Sequence, residues 1–220
     1  MFEPFDPQTL IVKALVIVVM LGIAFPIHEF AHALAAYRLG DGTAKLMGRL
    51  TLNPAVHFDP MGGLLLAASV LLTSFGFGWA KPTPYNPMNL QGGRWGEAIV
   101  GVAGPISNLV LAIAGAIPLR YIIATGMDAG LITTFLSFFV TLNLVLMIFN
   151  LIPIPPLDGS KVLFAFMNPR TVWQVRPVLE QYGFFILIAA MFLPIFGGQT
   201  LITVVFREVL VPLERLLIGV

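Results

Sequence analysis

Long apolar runs separated by short polar stretches rich in proline and glycine set the pattern of this chain. Residues 10–27, 98–119 and 131–152 hold a single charge between them, Lys13, and each approaches the roughly 20 residues that cross a hydrocarbon layer as helix. Residues 10–39 contain one proline, Pro26, and run to Gly40, a natural helix stop. This predicts one long helix with a kink near Pro26. Residues 41–63 are polar and turn-rich, with Asn53-Pro54, Asp59-Pro60 and Gly62-Gly63 as expected breakers. Residues 64–72 are apolar but short; Phe75-Gly76-Phe77-Gly78 and Lys81-Pro82-Thr83-Pro84 end them, and a second polar loop reaches Trp95.

The stretch 97–119 reads as a crossing whose Gly101, Gly104, Ala112 and Gly115 let neighbouring helices approach closely. The next crossing, 131–152, runs into Pro153, Pro155 and Pro156, which unwind the chain around Asp158-Gly159 before an apolar pattern resumes at 161–167. Broken backbone at membrane depth persists only where protein or a wet cavity surrounds it, so this break is expected to wall a site. Residues 184–193 with Ile195-Phe196 predict one more crossing. Residues 201–220, carrying Arg207, Glu208, Glu214 and Arg215, predict an interfacial amphipathic helix. The expected fold is an all-α polytopic membrane protein: a helical bundle with about 4–6 membrane segments, one of them re-entrant or interfacial.

Composition sharpens this picture. Of 220 residues, 58% are hydrophobic and 10% charged, against roughly 25% charged in a soluble domain. The first run is not preceded by a basic cluster, its early charges being Glu3, Asp6 and Lys13, and no small-residue cleavage site follows it, so it reads as retained rather than as a secretory signal. A net charge of +1 gives no argument for nucleic acid, and no such partner is expected; the absence of cysteine excludes disulfides and thiolate metal sites. With no repeat, low-complexity tract or long linker, residues 1–220 are expected to form one membrane-embedded domain.

The chemistry concentrates in His28-Glu29-Phe30-Ala31-His32. Helical positions four apart lie nearly above one another, so His28 and His32 can present two imidazoles to one cation while Glu29 projects about 100° around the axis. Zinc held this way brings a water towards ionisation at neutral pH, and the carboxylate can take its proton and later return it to a leaving amine. Each such side chain costs roughly 2.5–3.5 kcal/mol to insert in the membrane, which argues against three of them standing at ligand spacing without function. A catalytic zinc needs a third protein ligand and an open position. Two residues qualify: Asp158 in the proline-broken stretch, and His57 in the loop between Pro54 and Pro60. Asp158 is preferred because a site in the bilayer recruits intramembrane carboxylates, leaving His57 as a gate or supporting residue. A structural reading stands beside each, Asp158-Gly159 as a turn pair and His57 as a loop cap.

Three ordered motifs, HEFAH at 28–32, GPISN at 104–108 and NLIPIPPLDG at 150–159, resemble those of the site-2 protease family of intramembrane zinc metallopeptidases. Asn53-Pro54-Ala55-Val56-His57-Phe58-Asp59-Pro60-Met61-Gly62 is similar to the pattern of that family's compact branch, which carries no appended soluble domain. The resemblance implies His28, His32 and Asp158 as zinc ligands, Glu29 as general base, and Asn150 as a group that holds the substrate backbone or the developing oxyanion. A side-chain amide aimed at charge that forms only in the transition state suits that task, although an interhelical bond or helix cap would equally explain Asn150. Asn108 is expected to tie helices together near Gly104. The implied substrates are membrane-spanning proteins or peptides that unwind locally and lie extended against an exposed backbone edge; the sequence names no such edge and no oligomeric state.

Because His28 and Asp158 both lie towards the C-terminal ends of their apolar runs, sharing one metal requires those runs to point the same way. That holds if 64–79 re-enters or stays interfacial. Arg38, Lys45, Arg49, Lys81, Arg94, Arg170 and Arg176 then share one side, with Lys13 and Arg120 near the other. The positive-inside rule makes the crowded side cytoplasmic, which puts the site nearer the cytoplasmic face of a prokaryotic cell membrane. The rival reading is a membrane zinc-binding or transport protein without hydrolytic activity, which has no need for Glu29 between the ligands.

Overall fold

The computed structural model describes residues 7–72, 78–127, 129–194 and 197–219, and among them every regular element is a helix, with no strand. The chain opens with α1 (Pro7–Val19), a π-helical turn (Met20–Ala24) and α2 (Phe25–Arg38). Pro26 has no N–H and its ring collides with the carbonyl four residues back. The helix accommodates it by widening just before the proline, where the Phe25 N–H bonds to the Met20 carbonyl, so the expected disturbance is a π turn inside a continuous rod. The rod ends at Leu39, and Gly40 follows at φ +102°.

Two short helices follow, α3 (Thr43–Leu46) and α4 (Pro54–His57), and then the apolar α5 (Pro60–Leu72). The Asx-Pro pairs break the chain as expected, at 53 and at 58–59, and each also starts the next helix. Asn53 Oδ1 accepts from the Ala55 N–H at 3.0 Å and Asp59 Oδ1 from the Gly62 N–H at 2.7 Å, with proline at the first helical position each time. By contrast, α5 does not break at Gly62-Gly63. The two glycines give it a bare face: a Cβ at Gly62 would stand 2.1 Å from the Trp79 carbonyl oxygen, and one at Gly63 2.4 Å from the Phe58 ring. Gly78 is seated against Leu66 in the same way, and the Lys81 N–H donates to the His57 carbonyl at 2.8 Å. The excursion of residues 58–80 therefore begins and ends at one point, as a re-entrant hairpin does. Phe75, Gly76 and Phe77, expected to end the apolar stretch, lie outside the described residues.

The remaining elements are α6 (Arg94–Thr125), α7 (Leu131–Asn150), α8 (Gly159–Phe166), α9 (Pro169–Phe192) and a C-terminal rod of α10 (Leu201–Val205), a second π turn (Phe206–Leu210) and α11 (Val211–Ile218). Among the described residues, four helices are long and apolar enough to cross a membrane: Leu10–Arg38, Arg94–Thr125, Leu131–Asn150 and Pro169–Phe192. Of these four, α6 alone lies between α2 and α7 in the chain, and the C-terminal ends of α2 and α7 meet near its first turns, where His32 reaches Val100 and Asp158 reaches both histidines.

Packing centres on α6. Gly115 receives Phe139 and Val140 of α7, and Ala112, Ala116 and Leu119 form a buried cluster with Val140, Leu144 and Met147. The C-terminal rod closes that cluster with Leu210 and Ile218, while its Arg207 and Glu208 are exposed and paired at 2.6 Å. It is amphipathic, as expected, but its apolar face is spent on α6 and α7. A second cluster joins Met20 and Phe25 to Leu66 and Val70, seating α5 on the first rod.

Helix α9 starts 15 residues earlier than the apolar run 184–193 that predicted it; Ile195 and Phe196 lie outside the described residues. Asn168 caps it, accepting from the Arg170 N–H at 3.0 Å, ahead of Pro169. Its charged first half is held by Arg176, which forks onto the Glu97 carboxylate at 2.9 and 3.1 Å and also reaches Glu180 at 2.8 Å. Glu97 is only 5% exposed.

Candidate metal centre

Helix α2 aims His28 and His32 at the same point one turn apart, and the proline-rich segment after α7 brings Asp158 to meet them. His28 Nε2 and His32 Nε2 are 3.0 Å apart, and Asp158 Oδ2 lies 3.2 Å from the first and 3.0 Å from the second. All three side chains are buried. Among the described residues this is the one group of three or more His, Asp or Glu donors close enough to hold a metal ion.

The nitrogens facing away are spoken for. His32 Nδ1 is 2.7 Å from the Val100 carbonyl oxygen, which can only accept, so Nδ1 carries the proton and Nε2 offers a lone pair. His28 Nδ1 is 2.9 Å from Asn108 Oδ1 and is oriented in the same sense. Two imidazole lone pairs and an anionic oxygen thus converge in a buried space, an arrangement that is repulsive unless a cation sits among them. The donor separations are near the ~3.3 Å edge of a tetrahedron whose donors lie about 2.0–2.2 Å from zinc. Gly104 keeps the space open: a Cβ there would stand 2.4 Å from His32 Nε2 and 2.6 Å from His28 Nε2. The residues present fit zinc.

Glu29, next to His28 on α2, is half-buried and accepts from the Thr83 backbone N–H at 2.7 Å, while Thr83 Oγ1 donates to the Glu29 carbonyl at 2.9 Å. Thr83 lies on the extended segment that returns from the hairpin. On the far side of Asp158, Lys161 Nζ donates to Oδ1 at 2.8 Å.

The other expected residues fall outside the donor trio. His57 is 1% exposed; its Nε2 bonds to the Thr51 carbonyl at 2.8 Å, and its Nδ1 has no hydrogen-bond partner. Asn150 Nδ2 donates to the Leu146 carbonyl of its own helix at 2.9 Å. Asn108 is fully buried and, besides orienting His28, keeps an unpaired Nδ2. Sequence reasoning missed Thr83, the Val100 carbonyl and Lys161. Thr83 and the Val100 carbonyl act through contacts across the fold that no spacing pattern shows, whereas Lys161 lies three residues after Asp158, a helical spacing that could have found it.

Comparison with known proteins agrees with this geometry. The model of peptidase family M50 matches residues 114–193, a span that includes Asp158. A Bacillus subtilis protein named "Putative zinc metalloprotease YwhC" is 40% identical over 185 residues, covering 81% of each chain. Proteins named "Putative zinc metalloprotease Rip2" are similar at 34% identity in Mycolicibacterium smegmatis and 31% in Mycobacterium tuberculosis strain H37Rv. The alignments cover 76% and 80% of this chain and 63% and 66% of those relatives. No solved structure matches the chain. Paired histidines, a convergent aspartate and these relatives together place the chain in peptidase family M50, the site-2 protease family of zinc metallopeptidases.

Proposed function

We propose that this protein is an intramembrane endopeptidase that hydrolyses peptide bonds in or near transmembrane segments of other membrane proteins, with His28, His32 and Asp158 as zinc ligands and Glu29 as general base. The observation that carries the reading is the convergence of three buried donors beside a carboxylate held by the Thr83 N–H. Bound zinc supplies Lewis acidity, which favours ionisation of water near neutral pH and polarises a scissile carbonyl.

The chain's own residues do the rest. Glu29 takes a proton from the attacking water and passes it to the departing amine, with one of its oxygens fixed by Thr83. Asn150 engages the substrate backbone or the developing oxyanion; its amide has two N–H donors, one of them used on Leu146. Asn108 and Val100 hold the imidazoles in their tautomers and orientations. His57 acts indirectly, since its carbonyl pins Lys81 two residues before Thr83 and so shapes the approach to the site.

The reading also takes the whole chain as one membrane domain and puts the site nearer the cytoplasmic face of a prokaryotic cell membrane. In support, the loop bearing Lys81, the first turn of α6 with Arg94 and the segment before α9 are joined at the end of the bundle where α2 stops: the Gln91 N–H bonds to the Leu39 carbonyl at 2.8 Å and Arg94 to the Met167 carbonyl at 2.7 Å.

The test is Glu29→Gln in purified protein. Cleavage of a single-span substrate should disappear while zinc remains at one per chain. Unchanged cleavage overturns the mechanism; loss of zinc shows Glu29 to be structural. With no native cysteine, single cysteines at Lys45 and Lys81 can be labelled from either side of the membrane, and labelling from opposite sides would refute the re-entrant hairpin.

A further inference from the structure

Asp158 has two oxygens, and the structure gives them different partners. Oδ2 faces both imidazole nitrogens, at 3.2 and 3.0 Å. Oδ1 accepts from Lys161 Nζ at 2.8 Å. The ammonium is itself held from two other directions. Its stem lies on α6 at Gly101, where a Cβ would come within 3.1 Å of Lys161 Cβ and Cδ, and its charge sits 5.4 Å from the centroid of the Tyr85 ring. Lys161 stands three residues after Asp158, on the first turn of α8, so helix geometry fixes the pair at close range.

A carboxylate can give a cation one oxygen or both. The choice matters here, because a zinc site that hydrolyses must keep one position open, and a second aspartate oxygen would fill it or crowd it. We propose that Lys161 is a positioning residue that ties up Asp158 Oδ1 and so restricts the aspartate to single-oxygen ligation through Oδ2. It sets the coordination number of the centre rather than supplying a ligand. Gly101 belongs to the same device, since a side chain there would push the lysine stem away from the carboxylate. The inference rests on the zinc-site reading above and adds an assignment for Lys161, which lies outside the donor trio.

The test uses the full-length protein in detergent, loaded with Zn2+ or Co2+. X-ray absorption of the zinc-loaded wild type should fit four nitrogen and oxygen donors, of which one oxygen belongs to aspartate. Five or more donors with both aspartate oxygens engaged overturn the proposal without any variant having to fold. In the cobalt-loaded protein, Lys161→Met should lose visible-band intensity as the centre moves from four to five donors, with one cobalt per chain retained. A spectrum identical to wild type at full cobalt occupancy overturns it. Failure of the underlying zinc-site reading would look different: the wild type would bind no metal, or a His28→Ala, His32→Ala, Asp158→Ala triple variant would bind it as well as wild type.

Discussion

Thr83 grips Glu29 twice, its backbone N–H on the carboxylate at 2.7 Å and its hydroxyl on the Glu29 carbonyl at 2.9 Å. The pair is separated by 54 residues of sequence, and it couples the helix that carries His28 and His32 to the segment that returns after α5. A general base works from a fixed position, so this clamp should show in turnover and not in metal content. Thr83→Pro removes the N–H between two existing prolines. A hydrogen bond to a charged group contributes roughly 1.5–3 kcal/mol, so kcat should fall about 10- to 100-fold with zinc unchanged, read by elemental analysis beside a cleavage assay.

Gly104 should tolerate nothing larger. In Gly104→Ala the new methyl would meet both donor nitrogens at 2.4 and 2.6 Å, in the space a cation needs. The expected outcome is a folded protein that fails to retain zinc through dialysis; stoichiometric zinc with normal activity would contradict it.

Asn108→Ala takes away the acceptor that orients His28. Removing such an outer partner typically costs 10- to 100-fold in metal affinity. Competition with a chromophoric chelator measures it, and an unshifted dissociation constant would place His28 under the control of something else.

Arg176→Met should destabilise more than Arg176→Met with Glu97→Gln. The single change strands a nearly buried carboxylate, which costs about 3 kcal/mol, whereas removing both charges leaves an uncharged contact. Unfolding in mixed micelles, arranged as a double-mutant cycle, reads the difference.

Asp41 supplies a pH dependence outside the membrane-spanning helices. Burial pushes its pKa up, but hydrogen bonds from Thr43 and Asn89 and from the Asn86 and Thr43 backbone outweigh it and hold the pKa below the usual 3.8. A depressed carboxylate stabilises the fold fully above its unfolded pKa, and this contribution is lost as the pH falls through the folded value. Stability should therefore drop below about pH 4, and Asp41→Asn should flatten that part of the curve. An identical acid limb in the variant would refute the assignment.

Much of the site could be read from the sequence because it is local. His28, Glu29 and His32 fall on one helix at fixed spacing, and Asp158 stood out as a carboxylate in a proline-broken apolar stretch. The crossings were legible for the same reason, as hydropathy is a property of a window. The start of α9 was hidden by Arg170, Arg176 and Glu180, whose charge masks a helix in any hydropathy reading; the Asn168-Pro169 cap was the signal that could have found it. The breakers at Asn53-Pro54 and Asp59-Pro60 were legible, but not the short helices they start, because an Asx-Pro pair ends one element and begins the next with equal economy. Gly62 and Gly104 look alike as small residues, and only the neighbour each admits, the Trp79 carbonyl in one case and two imidazoles in the other, separates their roles.

The seat that Gly62 offers to Trp79 ties the aim of the Glu29 carboxylate to a helix that contributes none of the three converging donors. The outward leucines of α5 are free to drift, but a single methyl group at position 62 would displace the Trp79 carbonyl and, four residues later, Thr83. In a random-mutagenesis screen such a lesion would score as a dead protease that still carries its zinc, with its cause 33 positions downstream of the Glu29 proposed as its base.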